Sequence, residues 1–149
     1  MAEYRGTEGT RPYAGAGWYY AEYRQRVSTE FITLLAEHLG WTGTDRILDL
    51  GAGPGQLSLL VAPLVAEVVA VEPEPDMLAE GERRARAHGI NNVRFVRASS
   101  DDLPALRPSL GQFRTTLMGQ SFHWMLDRDR VLRDLSAMID RTGRYALSI

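Results

Sequence analysis

Apolar positions along the chain alternate between short β-branched runs and stretches of helical period. Phe31, Leu34, Leu35, His38 and Leu39 recur at i, i+3, i+4, i+7 and i+8, which predicts a helix over 29–39 with those residues on its packed face. Ser28 or Thr29 supplies an N-cap oxygen for the first-turn amides, and Gly40 is a natural stop. Residues 46–50 (RILDL) read as a short buried strand, interrupted by Gly51-Ala52-Gly53-Pro54-Gly55. A helix is expected over 56–61, with its end blurred by Pro63. Residues 67–71 (EVVAV) form a second β-branched strand, closed by Glu72-Pro73. A third helix spans 75–88, with Pro75 suited to its first turn and Gly89 at its end. Strands follow at 93–97 and 113–118. A helix over 128–139 then carries Val131, Leu132, Leu135, Met138 and Ile139 on one face. Thr142-Gly143 turns the chain into a fifth strand over 145–148.

Strands alternating with helices imply βαβ units, a parallel sheet and right-handed crossovers, so the fold class is α/β. Ligands of such sheets bind beyond the carboxyl ends of the strands, where the winding reverses. The glycine-rich turn after the first strand lies at that edge.

Composition narrows the chemistry. The 149 residues suggest one domain, and 44% hydrophobic with 24% charged residues argue against a mainly disordered chain. Seventeen basic residues against nineteen acidic leave a net charge of −2, which removes the electrostatic case for a nucleic-acid partner. Cysteine is absent, which excludes disulfides, thiolate metal sites and a cysteine nucleophile; no metal is expected. Every basic residue is arginine, so a Schiff-base or P-loop lysine is excluded too. The first eleven residues hold no apolar targeting segment, and the longest apolar-rich stretch, 57–71, is too short to span a membrane. These absences point to a cytoplasmic protein with no membrane partner. Residues 1–17, with four glycines and one proline, read as a flexible arm ahead of a domain over 18–149. Trp18, Tyr19, Tyr20 and Tyr23 then serve either as an aromatic anchor for that arm or as a lid over a ligand pocket.

The strongest chemical signal is Asp49-Leu50-Gly51-Ala52-Gly53-Pro54-Gly55 followed by Glu72, 21 positions after Gly51. Glycines permit a tight bend and close ligand approach, and a carboxylate at the tip of the neighbouring strand can accept from a ribose diol. A dinucleotide fingerprint requires G-x-G-x-x-G, whose third glycine falls here on Gln56. An NAD- or FAD-binding oxidoreductase domain is therefore the alternative.

Ile47 to Gly55, then Val71-Glu72-Pro73, resembles the class I S-adenosylmethionine (SAM)-dependent methyltransferases, and most closely their UbiE-like, type 11 small-molecule branch. Phe95-Val96, Asp102-Leu103-Pro104, Gln120-Ser121-Phe122-His123-Trp124 and Thr142-Gly143 extend the likeness in the expected order. The resemblance implies a Rossmann-like three-layer sandwich with a mainly parallel sheet and a SAM cofactor. It implies that Asp49, Gly51, Gly53 and Gly55 border the methionine part and that Glu72 holds the ribose. Pro73 and Met77 would then lie near the adenine, and Gln120 near the methionine moiety. Ser99, beside Ser100, occupies the place where the family often carries an acid for the adenine amino group. His123 is the candidate general base, should the acceptor have to lose a proton. The family builds seven strands. A chain ending near its fifth is expected to be the cofactor-binding part of a larger enzyme, truncated after strand five. A homo-oligomer would then cover the bare sheet edge. A small-molecule methyl acceptor is the expected partner, and a SAM-binding fragment without turnover is the remaining alternative.

Overall fold

The computed structural model describes residues 27–148. The expected arm over 1–17 and the aromatic cluster Trp18 to Tyr23 lie outside the described residues. Helix α1 (Thr29–Leu39) leads into strand β1 (Arg46–Leu50), helix α2 (Gln56–Val61) and strand β2 (Glu67–Glu72). Helix α3 (Pro75–Ala87), strand β3 (Val93–Arg97), helix α4 (Leu103–Leu110) and strand β4 (Phe113–Gly119) follow, then helix α5 (Arg128–Ser136) and strand β5 (Ile139–Ser148). The five strands form one sheet in the order β3-β2-β1-β4-β5, and every pairing is parallel. The winding reverses at β1, between β2 and β4, as expected of a doubly wound sheet. No described helix is long and apolar enough to cross a membrane.

Strand alternation sorts the core into two layers. Leu48, Leu50, Val69, Val71 and Met118 pack with Leu103 and Leu110 of α4 and Val131 and Leu135 of α5. Ile47, Val68 and Leu117, on the opposite face, pack with Ile32 of α1 and Val61 of α2. Residues of β1 and β2 are buried on both faces, which is why their sequences read as continuous apolar runs.

Three expectations are corrected. The packed face of α1 is not the Phe31–Leu34–His38 stripe. Ile32 is 1% exposed and Leu35 packs beside it, whereas Phe31 and Leu34 are 52% and 65% exposed and His38 faces solvent. Apolar residues cover a broad arc of this helix, and a one-residue offset turns it by about 100°. Helix α4 was hidden in the sequence by Pro104 and Pro108. Pro104 sits in the first turn, where an amide is unsatisfied anyway, and buried Leu103 and Leu110 anchor the two ends. Helix α5 ends at Ser136 and β5 begins at Ile139, so Thr142-Gly143 lies within the strand as an irregularity. Phe113 pairs with Ile139, but Thr115 already pairs with Arg144. The Arg114 guanidinium holds the excess loop by donating to the Thr142 carbonyl at 2.7 Å and to its hydroxyl.

Helix α3 approaches the glycine-rich turn closely through Gly81. A Cβ there would lie 2.6 Å from the Phe95 ring and 3.3 Å from the Pro54 carbonyl carbon. The same ring would lie 3.2 Å from a Cβ at Gly55. Gly81→Ala is expected to destabilise the domain by about 1–3 kcal/mol through overpacking, against the usual helical preference for alanine. A denaturant midpoint at or above wild type would refute that packing.

Candidate functional site at the carboxyl edge of the sheet

The bend after β1 is built by three glycines in the left-handed region: Gly51 at φ 72°, Gly53 at φ 56° and Gly55 at φ 74°. Side chains with a Cβ are disfavoured there, so the residue type follows from the bend. The first two amides of the bend are pinned to β2, with Gly51 N and Ala52 N donating to the Val71 carbonyl at 2.8 and 3.1 Å. Gly55 is the N-cap of α2, so the helix starts immediately after the bend.

Glu72 joins the bend to the next crossover. Its Oε2 accepts from Gly53 N at 2.9 Å and its Oε1 from Glu74 N at 3.0 Å, and the residue is 8% exposed. Each oxygen keeps a further lone pair for a ligand hydroxyl. Burial raises its pKa above the usual carboxylate range. The two amide bonds oppose that shift, and the nearby Glu74 carboxylate adds to it.

Asp49 is buried deeper, at 1% exposure, and its Oδ2 accepts from the Ser58 hydroxyl at 2.6 Å. Burial pushes its pKa up to about 6 despite bonds from the Ser58 hydroxyl and backbone, with Glu72 contributing further. This carboxylate faces α2 and acts as an internal cap on its first turn.

The turn after β4 closes over the same place. Gln120 takes a left-handed backbone at φ 52°, a strained conformation for a non-glycine residue. Ser121 Oγ donates to the Leu50 carbonyl at 2.6 Å. A Cβ on Gly51 would lie 2.4 Å from that of Ser121, so the two loops touch with no space between them. Pro73 is half-buried at the start of the β2–α3 crossover, and Met77 is 3% exposed in the first turns of α3. Ser99 caps the short 3₁₀ turn Ser100–Asp102: its hydroxyl donates to Asp102 Oδ2 at 3.0 Å and accepts from Asp101 N at 3.2 Å. Its proton and one lone pair are thus engaged within its own turn. Ser100 is half-buried beside it. His123 is exposed in the 3₁₀ turn Phe122–Trp124, its ring centroid 5.0 Å from that of Trp124. It is the only described histidine at this edge, since His38 and His88 stand at helix C-terminal ends, on the opposite edge of a parallel sheet.

The structure therefore brings Asp49, the three glycines, Glu72 and Gln120 to one place. Ser99 is turned to its own cap, and His123 lies on the rim. Sequence reasoning missed Ser58 and Glu74, and it placed Phe95 and Ser121 in matched motifs without giving either a role. Ser58 carried a local signal, as a hydroxyl in the first turn of α2.

Residues 47–143 match the family model described as "Methyltransferase domain". The chain belongs to this family. It is 28% identical over 102 residues to the uncharacterized methyltransferase YcgJ of Bacillus subtilis (strain 168), a match covering 68% of this chain and 39% of that protein. The YcgJ crystal structure superposes with a TM-score of 0.70 at 24% identity, covering 78% of this chain and 48% of that one. A SAM-dependent methyltransferase from Thiobacillus denitrificans, in complex with S-adenosyl-L-homocysteine (SAH), superposes at 0.68 with 17% identity, covering 86% and 52%. The chain is also 34% identical over 89 residues to the 23S rRNA (uracil(1939)-C(5))-methyltransferase RlmD of Shewanella sp. (strain ANA-3), covering 58% of this chain and 20% of that protein. This methyltransferase chain thus spans about half or less of the length of these proteins. Its fold is that of the class I SAM-dependent methyltransferases.

Proposed function

We propose that this chain is the SAM-binding domain of a methyltransferase acting on a small-molecule acceptor. The observation that carries the reading is Glu72: a buried carboxylate at the tip of β2 that pins the glycine bend through one oxygen and the α3 entrance through the other. Its two oxygens can each accept from one hydroxyl of a vicinal diol. The three glycines of the bend offer backbone without side chains, and Gln120 follows directly after β4 at the same edge. These residues fit the ribose and methionine ends of SAM. Pro73 and Met77 flank the direction in which the adenine would extend. SAM when bound supplies a methyl group on a sulfonium, so the hard chemistry is the cofactor's. The protein aligns acceptor, methyl carbon and sulfur, a contribution of about 7–11 kcal/mol in favourable cases. His123, exposed on the rim, stands where an acceptor proton could be taken. The rRNA methyltransferases among the relatives raise a nucleic-acid acceptor as the second reading; a net charge of −2 and a pI near 5.9 favour the small molecule.

Calorimetric titration of the full chain with SAM, SAH and NADH tests the reading. Binding of SAM and SAH without NADH is expected, and Glu72→Gln should weaken both by about 10- to 100-fold, the loss of charge-assisted bonds. NADH binding with no response to SAM would overturn it. Transfer from radiolabelled SAM to an acceptor panel that includes rRNA separates the acceptor classes. In that assay His123→Ala should alter the pH profile of turnover, and an unchanged profile removes the histidine from the chemistry.

A further inference from the structure

The ladder between β1 and β4 runs from the Ile47/Thr115 pair to the Asp49/Leu117 pair and stops there. One residue on, the Ser121 hydroxyl takes over, donating to the Leu50 carbonyl at 2.6 Å. Ser121 is 9% exposed, and its proton is engaged by that carbonyl rather than offered to a ligand. Its Cβ abuts the glycine bend, 2.4 Å from where a Cβ on Gly51 would stand. Between Gly119, the last residue of β4, and Ser121 stands Gln120, the only non-glycine residue with a left-handed backbone among the described residues. Such strain persists only where surrounding contacts impose it, and it gathers at functional sites. The Ser121 bond is the anchor next to it along the chain. Downstream, the loop is held without the Ser121 side chain. Trp124 N donates to the Ser121 carbonyl at 3.0 Å, Met125 N to the Phe122 carbonyl at 3.2 Å and Arg128 Nη2 to the His123 carbonyl at 2.9 Å. Met125 is buried in the core, with Phe122 packed against it. Loss of the Ser121 hydroxyl therefore releases Gln120 and leaves the rest of the loop in place.

We propose that Ser121 is a positioning residue for the methyl donor: its hydroxyl clamps the end of β4 to the end of β1 and holds the strained Gln120 backbone beside the glycine bend, in the conformation that receives the donor. This rests on the reading of the chain as a SAM-binding domain. Ser121 acts through Gln120 and not by contact with the donor. An unclamped Gln120 relaxes toward negative φ, where a residue with a Cβ is more stable. Only the left-handed fraction of the chains then receives the donor, and apparent affinity falls by that fraction. The effect is the same for SAM and SAH, because the clamp sets a backbone conformation and not a charge.

Ser121→Ala should weaken SAH binding about fivefold, the value of one net hydrogen bond. The same substitution made in two Gln120 variants separates positioning from general support of the fold. Gln120→Ala keeps a Cβ, so the left-handed backbone stays strained and a loss of about fivefold should recur. Gln120→Gly removes the strain, so the loss should shrink to less than about twofold. Gln120→Gly itself should bind SAH at least as tightly as Gln120→Ala. Ser121→Cys, whose thiol donates weakly, should fall between serine and alanine, and it carries the same cycle should alanine unfold the domain. Equilibrium dialysis with radiolabelled SAH reads the affinities, and thermal midpoints show that each variant is folded at the assay temperature. Equal losses in all three backgrounds would make Ser121 a general support of the fold, and no loss in any would remove it from the donor site. Either result overturns the proposal while leaving the SAM-binding reading intact. So does a Gln120→Gly chain that binds SAH less tightly than Gln120→Ala. A wild-type chain that binds neither SAM nor SAH overturns both.

Discussion

Gly51→Ala is expected to destabilise the domain by about 2–5 kcal/mol and to abolish donor binding. Two costs add at this position. The residue sits at φ 72°, where a Cβ costs about 1–2 kcal/mol. That Cβ would also lie 2.4 Å from the Ser121 Cβ and 2.9 Å from its Oγ. Ser121 cannot retreat without breaking its 2.6 Å bond to the Leu50 carbonyl, and Gly51 cannot retreat without losing its own 2.8 Å bond to Val71. Overpacking of this kind costs about 1–3 kcal/mol. Gly43→Ala is the control: nothing lies within 4 Å of a Cβ there, and its backbone is not left-handed, so the change should stay within about 0.5 kcal/mol. Urea midpoints of both variants check the contrast. A Gly51→Ala protein as stable as Gly43→Ala would show that the bend relaxes freely.

The ligand-free domain is expected to lose about 2–3 kcal/mol of stability between pH 4 and pH 7 through Asp49 alone. Burial raises its folded-state pKa to about 6 from an ordinary 3.8. Between those values the folded state holds a proton that the unfolded chain has released. The contribution is therefore fully present below pH 3.8 and is lost as pH rises through 6. Asp49→Asn should remove the Asp49 share of this decline and leave the share of Glu72, whose pKa burial also raises. Ser58→Ala should extend it to higher pH, because the 2.6 Å hydroxyl bond favours the ionised form. Denaturant unfolding of the three proteins from pH 4 to 8 provides the test. Parallel profiles for wild type and Asp49→Asn would refute the burial argument. Binding of a cationic donor should strengthen over the same rise in pH, as Asp49 becomes charged.

Much of this was legible in the chain. The strands were found because a parallel sheet buries both faces, so RILDL and EVVAV read as mainly apolar runs without a polar alternation. Gly51 to Gly55 and Glu72 were found because a left-handed bend and a spaced acid leave residue types that few other structures require. Helix α4 was not found, because Pro104 and Pro108 mask its period and its stability comes from Leu103 and Leu110 meeting the sheet. The start of β5 was misplaced because an irregular pairing held by Arg114 has no local signature.

Apart from α4, the order of elements, the parallel sheet and the position of the glycine bend were determined by the sequence alone, since each depends on the local period of apolar residues and on backbone freedom. Which arc of α1 meets the sheet, and where the Asp49 and Ser99 side chains turn, were decided only by tertiary structure. So was the burial of Glu74, 5% exposed with its Oε2 lacking a hydrogen-bond partner. Burial and hydrogen-bond partners are set by residues far apart in the chain, and no pattern within one segment encodes them.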